Sequence, residues 1–195
     1  MTRLPELRKN LAYHLSQPVV RLLAMTPITP NALSWFGFVV TIGAAILIVS
    51  GHIFAAGFVV LLAGFFDILD GALARSTERI TTFGGILDST LDRLAEAVLL
   101  LGILAKYAAE PSVTGVLLVG LALVGSLLVS YIRARAEAAN LECQEGLFTR
   151  AERVVVLALG LLLNQLLLVL AIIALLSFIT AGQRLVHAWQ QTKNK

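Results

Sequence analysis

Long apolar stretches alternate along this chain with short polar punctuation. Residues 32–51, 111–129 and 166–182 carry no charged side chain, and each approaches the roughly 20 mainly apolar residues that cross a bilayer core. The pattern predicts six membrane-spanning helices, over 31–51, 53–75, 82–105, 111–138, 150–163 and 166–187. Thr29-Pro30-Asn31 opens the first, with Asn31 able to cap its N-terminus. The polar turn STERIT joins the second to the third, and a polar segment around NLECQEG precedes the fifth, whose first turns are polar. Residues 2–24 read differently. Arg3, Arg8, Lys9 and Arg21 are interleaved with Leu4, Leu7, Leu11, Leu15, Val19 and Leu22 at roughly helical spacing, interrupted near Pro18. That predicts an amphipathic helix over 1–24 lying in the membrane interface, basic side toward the headgroups. The expected fold is all-α: a single integral membrane domain spanning 1–195, with a six-helix transmembrane core at 31–187.

Composition agrees. Of 195 residues, 58% are hydrophobic and 14% charged, against about a quarter charged in soluble domains, and the mean hydropathy is +0.87. The N-terminus is too charged for the apolar middle of a signal peptide. A single cysteine, Cys143, rules out an intramolecular disulfide. The net charge of +3 is scattered through apolar sequence without an aromatic platform, so no nucleic-acid partner is expected. With the N-terminus inside, six spans return the C-terminus to the cytoplasm. Among the 15 Lys and Arg residues, only Lys106 then lies near an external loop, as the positive-inside rule requires. A multi-pass plasma-membrane protein with both termini cytoplasmic follows.

Acidic residues inside the second and third spans change the picture. Asp67, Asp70, Asp88, Asp92 and Glu96 all fall there. Four unpaired aspartates at span centres would cost about 10 kcal/mol, so they need a positive partner or access to water. Asp67 and Asp70 share one helical face at i, i+3; Gly84, Asp88 and Asp92 share another at i, i+4, i+8. The short turn between them makes the two helices antiparallel neighbours, with Asp67 about 12 Å from the connecting loop and Asp92 about 15 Å, so the four carboxylates can converge in one cavity open to the cytoplasm. An all-oxygen donor set favours Mg²⁺ or Mn²⁺. Buried Asp–Arg pairs, or a cation-coupled transporter, are the competing readings of such a cluster.

Residues 67–92, DILDGALARSTERITTFGGILDSTLD, fit D-x2-D-G-x2-A-R-x8-G-x3-D-x3-D at every fixed position. This resembles the signature of the CDP-alcohol phosphotransferases. The resemblance implies that an alcohol hydroxyl attacks the lipid-bearing phosphate of CDP-diacylglycerol and releases CMP. It implies two metal ions, Mg²⁺ or Mn²⁺, held by Asp67, Asp70, Asp88 and Asp92, with Asp92 also the base. Thr29, Pro30, Asn31, Ala32, Gly71, Ala74, Arg75 and Thr81 would contact the CDP-lipid, and the enzyme would be a homodimer whose active site faces the cytoplasm. Gly115, Gly120 and Gly125 permit close helix contact but do not share a face.

The stretch LDSTLDR and the later SYIRARAEA resemble the phosphatidylinositol phosphate synthases within that family. By that resemblance Arg133, Arg135, Arg153 and Arg184 would bind the phosphate of inositol 1-phosphate. Their placement at cytoplasmic helix ends suits a phosphorylated polyol, whose dianion takes bidentate guanidinium contacts. Glycerol 3-phosphate, used by phosphatidylglycerophosphate synthases, carries the same dianion and remains the alternative acceptor.

Overall fold

A computed structural model describes residues 17–143 and 146–193. Among the described residues every regular element is a helix: α1 (17–24), α2 (Pro30–Val49), α3 (Ile53–Ser76), α4 (Thr82–Ala109), α5 (Val113–Ala138), α6 (Arg150–Leu162) and α7 (Leu166–Lys193). Local chemistry sets their ends. The side chains of Thr29, Thr81 and Ser112 accept from the N–H groups of Ala32, Gly84 and Gly115, satisfying donors that a first helical turn leaves open. Thr149 and Glu152 form a capping box at the start of α6. At the other ends, Gly51, Glu78, Asn140 and Asn164 have positive φ. Each next residue returns its N–H to a carbonyl five residues back, as from Arg79 to Ala74 at 3.1 Å and from Gln165 to Gly160 at 2.8 Å. These left-handed stops reverse the chain within a few residues.

The six helices after α1 close into a ring. Going round it, α2 packs on α3, α3 on α6, α6 on α7, α7 on α5, α5 on α4, and α4 on α2. Ile48, Val60, Leu100, Ile103, Leu161 and Leu170 belong to the core. Small residues let backbones approach: a Cβ on Gly102 would lie 3.2 Å from the Ala45 carbonyl oxygen, and one on Gly125 would lie 2.9 Å from Ser177 Cβ. Gly115 is likewise filled by the Tyr107 ring, whereas nothing lies within 4 Å of a Cβ on Gly120. Two of the three α5 glycines are thus spent on contacts inside the chain.

Helices α3 and α4, consecutive and joined by a short turn, were expected to pack as direct neighbours, but they are not among the extensively packed pairs. Both pack on α2, which comes between them in the order of the ring. The space this leaves between α3 and α4, inside the ring, is where the acidic residues meet.

The outside of the ring carries large exposed apolar side chains, among them Trp35, Phe54, Phe58, Leu117 and Leu175. A continuous apolar exterior of this kind needs lipid rather than water. By length and composition α2, α3, α5 and α7 can cross a membrane, and the chain is an integral membrane protein. Helix α4 falls outside that set because Asp88, Asp92, Arg93, Glu96 and Lys106 interrupt its apolar run. Helix α6 has 13 residues, about 20 Å. Of the expected interfacial helix, residues 1–16 lie outside the described residues. Residues 17–24 are helical, with Val20 buried beside Leu33, Leu69 and Leu73.

Candidate active site

Asp67 comes from α3, and Asp88 and Asp92 come from successive turns of α4. Each can offer a carboxylate oxygen within 4.8 Å of those of the other two. Oxygens this close can share one small cation at bond lengths of roughly 2.0–2.6 Å, and the all-oxygen donor set is that of Mg²⁺ or Mn²⁺ rather than of a softer metal. The three aspartates fit a divalent metal. Asp70 belongs to the same wall but not to the trio. It is 4% exposed and accepts a 2.6 Å hydrogen bond from Ser34 Oγ on α2.

The positive partner demanded by these carboxylates arrives from α6. Arg150 Nη1 lies 2.8 Å from Asp67 Oδ1 and 2.7 Å from Asp92 Oδ1. Arg150 is not among the site residues that the sequence pattern points to. A signal existed: Arg150 and Arg153 sit in the first turns of a helix, where the dipole favours acidic residues and opposes cations. Two arginines placed there need acidic partners elsewhere in the fold. Arg153, 2% exposed, finds its partner in Glu96, to which it is bonded by Nε at 2.6 Å and by Nη2 at 2.8 Å.

A second cavity, of about 290 Å³, opens beside the metal-fitting trio. Its lining includes Pro30 and Asn31 at the start of α2 and Thr81, Gly84 and Gly85 at the start of α4. Gly71, Ala74, Arg75 and Arg79, from α3 and the turn after it, line the rest with Ser34, Asp70, Asp88 and Ile80. Two helix N-termini and two guanidinium groups therefore face one space, an arrangement that attracts phosphate. Arg75 lies over Gly71, where an added Cβ would come 3.3 Å from Nη1. At Gly84 an added Cβ would come 2.8 Å from Thr81 Oγ1 and 3.2 Å from Asn31 Oδ1. The glycine thus lets the two helix starts meet. Thr29 and Ala32 act through the cap, with Ala32 N–H donating to Thr29 Oγ1 at 3.2 Å. Asp88 and Ser34 line both this cavity and the one that holds Asp67, Asp92 and Arg150, so a diphosphate in the larger space would reach the metal-fitting carboxylates.

The four arginines expected to bind an acceptor phosphate are placed unequally. Arg133 pairs with Glu137 at 2.7 Å on the exposed side of α5, and Arg135 is exposed. Arg184, 3% exposed, donates from Nη1 to the Val129 carbonyl at 2.6 Å. Arg153 is engaged with Glu96, so the four differ in burial and in partner.

Residues 27–186 match the family CDP-alcohol phosphatidyltransferase. The chain is 39% identical over 163 residues to an archaetidylinositol phosphate synthase of Methanothermobacter thermautotrophicus, covering 80% of this chain and 81% of the relative. The crystal structure of Mycobacterium tuberculosis phosphatidylinositol phosphate synthase with CDP-DAG bound superposes with a TM-score of 0.82 at 31% identity, covering 90% and 94% of the two chains. The same mycobacterial enzyme in complex with manganese and citrate superposes with a TM-score of 0.81 at 32% identity, covering 89% and 88%.

Proposed function

Because the chain belongs to the CDP-alcohol phosphatidyltransferase family, we propose that it transfers the phosphatidyl group of CDP-diacylglycerol to a hydroxyl of inositol 1-phosphate, giving phosphatidylinositol phosphate and CMP. The observation that carries this reading is the shared wall. Asp88 belongs both to the carboxylate trio and to the phosphate-attracting cavity, so a metal and a diphosphate bound there would sit side by side. The Methanothermobacter thermautotrophicus and Mycobacterium tuberculosis proteins are both named for an inositol phosphate product, which supports the acceptor.

Asp67, Asp70, Asp88 and Asp92 would hold two divalent ions, Mg²⁺ or Mn²⁺, with Asp70 exchanging its bond to Ser34 for that role. Bound there, the ions supply positive charge against the diphosphate. The chain's own residues supply the rest. Arg75 and the N-termini of α2 and α4 hold the diphosphate, and Gly71, Ala74 and Thr81 shape the space around it. Thr29, Pro30, Asn31 and Ala32 meet the cytidine side. Asp92 takes the proton of the acceptor hydroxyl, whose oxygen bonds to the lipid-bearing phosphorus as the bond from that phosphorus to the CMP oxygen breaks. Arg133, Arg135, Arg153 and Arg184 orient the acceptor through its phosphate, so position rather than base strength carries much of the rate. We further propose that α4 and α6 complete six spans, their polar starts facing the cytoplasm, and that the enzyme works as a homodimer in the plasma membrane. Lys106, 18 residues along α4 from Asp88 and so about 27 Å away, then lies at the external side.

The deciding experiment is a competition. Purified enzyme receives CDP-diacylglycerol with equal inositol 1-phosphate and glycerol 3-phosphate, and the lipid product is identified by mass. Phosphatidylinositol phosphate is expected to dominate; mostly phosphatidylglycerophosphate would reassign the acceptor, and absence of CMP release with either would overturn the reaction.

A further inference from the structure

Two arginines three residues apart on α6 are bonded in opposite ways. Arg153 commits its fork to one partner, Nε and Nη2 to the two oxygens of Glu96, and Nη1 donates to the Phe148 carbonyl at 3.4 Å. Arg150 meets Asp67 and Asp92 through the single atom Nη1, while its Nε is buried without a hydrogen-bond partner. A guanidinium has five N–H donors in a rigid fork, and one that shares a single nitrogen between two carboxylates is weakly committed to either. Those carboxylates are two of the three that fit a metal.

We propose that Arg150 is the resident counter-cation of the metal site, holding Asp67 and Asp92 together in the metal-free protein and giving way when a divalent ion binds. The proposal rests on the metal-binding role argued above. Clustered carboxylates inside a membrane protein repel one another and are expensive to leave uncompensated. Arg150 offsets that cost while the chain folds and before metal arrives. A guanidinium and a metal ion cannot occupy the same space between Asp67 and Asp92, so an ion bound between those two must displace Arg150, and its affinity is lowered accordingly. Arg150 is thus a positioning residue that sets when the site is loaded.

Mn²⁺ titration of the full-length protein in detergent, read by electron paramagnetic resonance after removal of metal with EDTA, tests this. Arg150→Gln is expected to bind Mn²⁺ at least about tenfold tighter than wild type, with Arg150→Lys in between. Arg93→Gln is the control for charge alone, because Arg93 also acts on Asp88 yet is bonded to the Ser89 carbonyl; its effect is expected to be clearly smaller. The metal-free Arg150→Gln protein should unfold at lower temperature than wild type and recover on Mn²⁺ addition. Equal or weaker Mn²⁺ binding by Arg150→Gln, or no difference from Arg93→Gln, would overturn the proposal. Should Arg150→Gln fail to fold without metal, Arg150→Lys decides: tighter binding supports the displacement, and unchanged or weaker binding refutes it. A wild-type protein that binds no Mn²⁺ would instead remove the metal site itself.

Discussion

Glu96 and Arg153 form a two-point buried ion pair between α4 and α6, Oε1 to Nε at 2.6 Å and Oε2 to Nη2 at 2.8 Å. These two helices are not among the directly packed pairs of the ring, so the pair spans the interior. It also fixes the first turn of α6 at the height of the aspartates, and with it Arg150.

Breaking that pair from one side leaves a charge stranded. Arg153→Ala and Glu96→Ala are each expected to cost about 3–5 kcal/mol of stability, read as a fall in unfolding temperature in detergent. The double change Glu96→Leu with Arg153→Met should recover much of the loss, because an apolar pair of similar volume replaces the ionic one. If Arg153 also serves the acceptor phosphate, the double variant should fold yet keep a raised acceptor KM.

Asp67→Asn, Asp88→Asn and Asp92→Asn each remove a charged oxygen from the trio. Activity should fall by more than the roughly 10- to 100-fold typical of losing a residue that only supports a metal ligand. Insertion and yield should be retained. CMP release together with Mn²⁺ titration checks this, and wild-type turnover and metal affinity in Asp88→Asn would show the trio to be wrongly assigned.

Two neighbouring glycines should respond differently to alanine. At Gly84 the new methyl meets Thr81 Oγ1 at 2.8 Å and Asn31 Oδ1 at 3.2 Å, so the cap of α4 must shift. A disturbed cap costs about 0.5–2 kcal/mol, and the KM for CDP-diacylglycerol should rise. At Gly71 the contact is the end of the flexible Arg75 side chain, at 3.3 Å. Gly71→Ala should leave stability within about 0.5 kcal/mol of wild type and act only through the displaced guanidinium. Initial rates against CDP-diacylglycerol, with unfolding temperatures in parallel, separate the two.

Arg135 offers the cleanest test of the acceptor assignment, because it is exposed and its loss should not disturb folding. Arg135→Ala is expected to raise the acceptor KM about 10- to 150-fold, the equivalent of a charge-assisted hydrogen bond of about 1.5–3 kcal/mol. The KM for CDP-diacylglycerol should hardly move. Equal effects on both substrates would place Arg135 outside the acceptor pocket.

Short-range periodicity accounts for the helices. The apolar runs and their polar breaks marked all six long helices to within a few residues at most ends, because helix length, caps and reversals depend on neighbours a turn or two away. Spacing set Asp88 and Asp92 on one face of α4 for the same reason, and the signature from Asp67 to Asp92 carried the chemistry. Tertiary structure decided which faces meet. Asp67 and Asp70 share a face by spacing, yet Asp67 joins the trio while Asp70 bonds Ser34, 36 residues earlier. Helix α2 comes between α3 and α4 in the order of the ring although the chain joins those two directly. Arg150 reaches Asp67 from 83 residues away. Each of these contacts depends on how whole helices close into a ring. The ring order follows from summed packing of side chains far apart in sequence, such as Gly102 against Ala45, and no periodicity along a single helix encodes it.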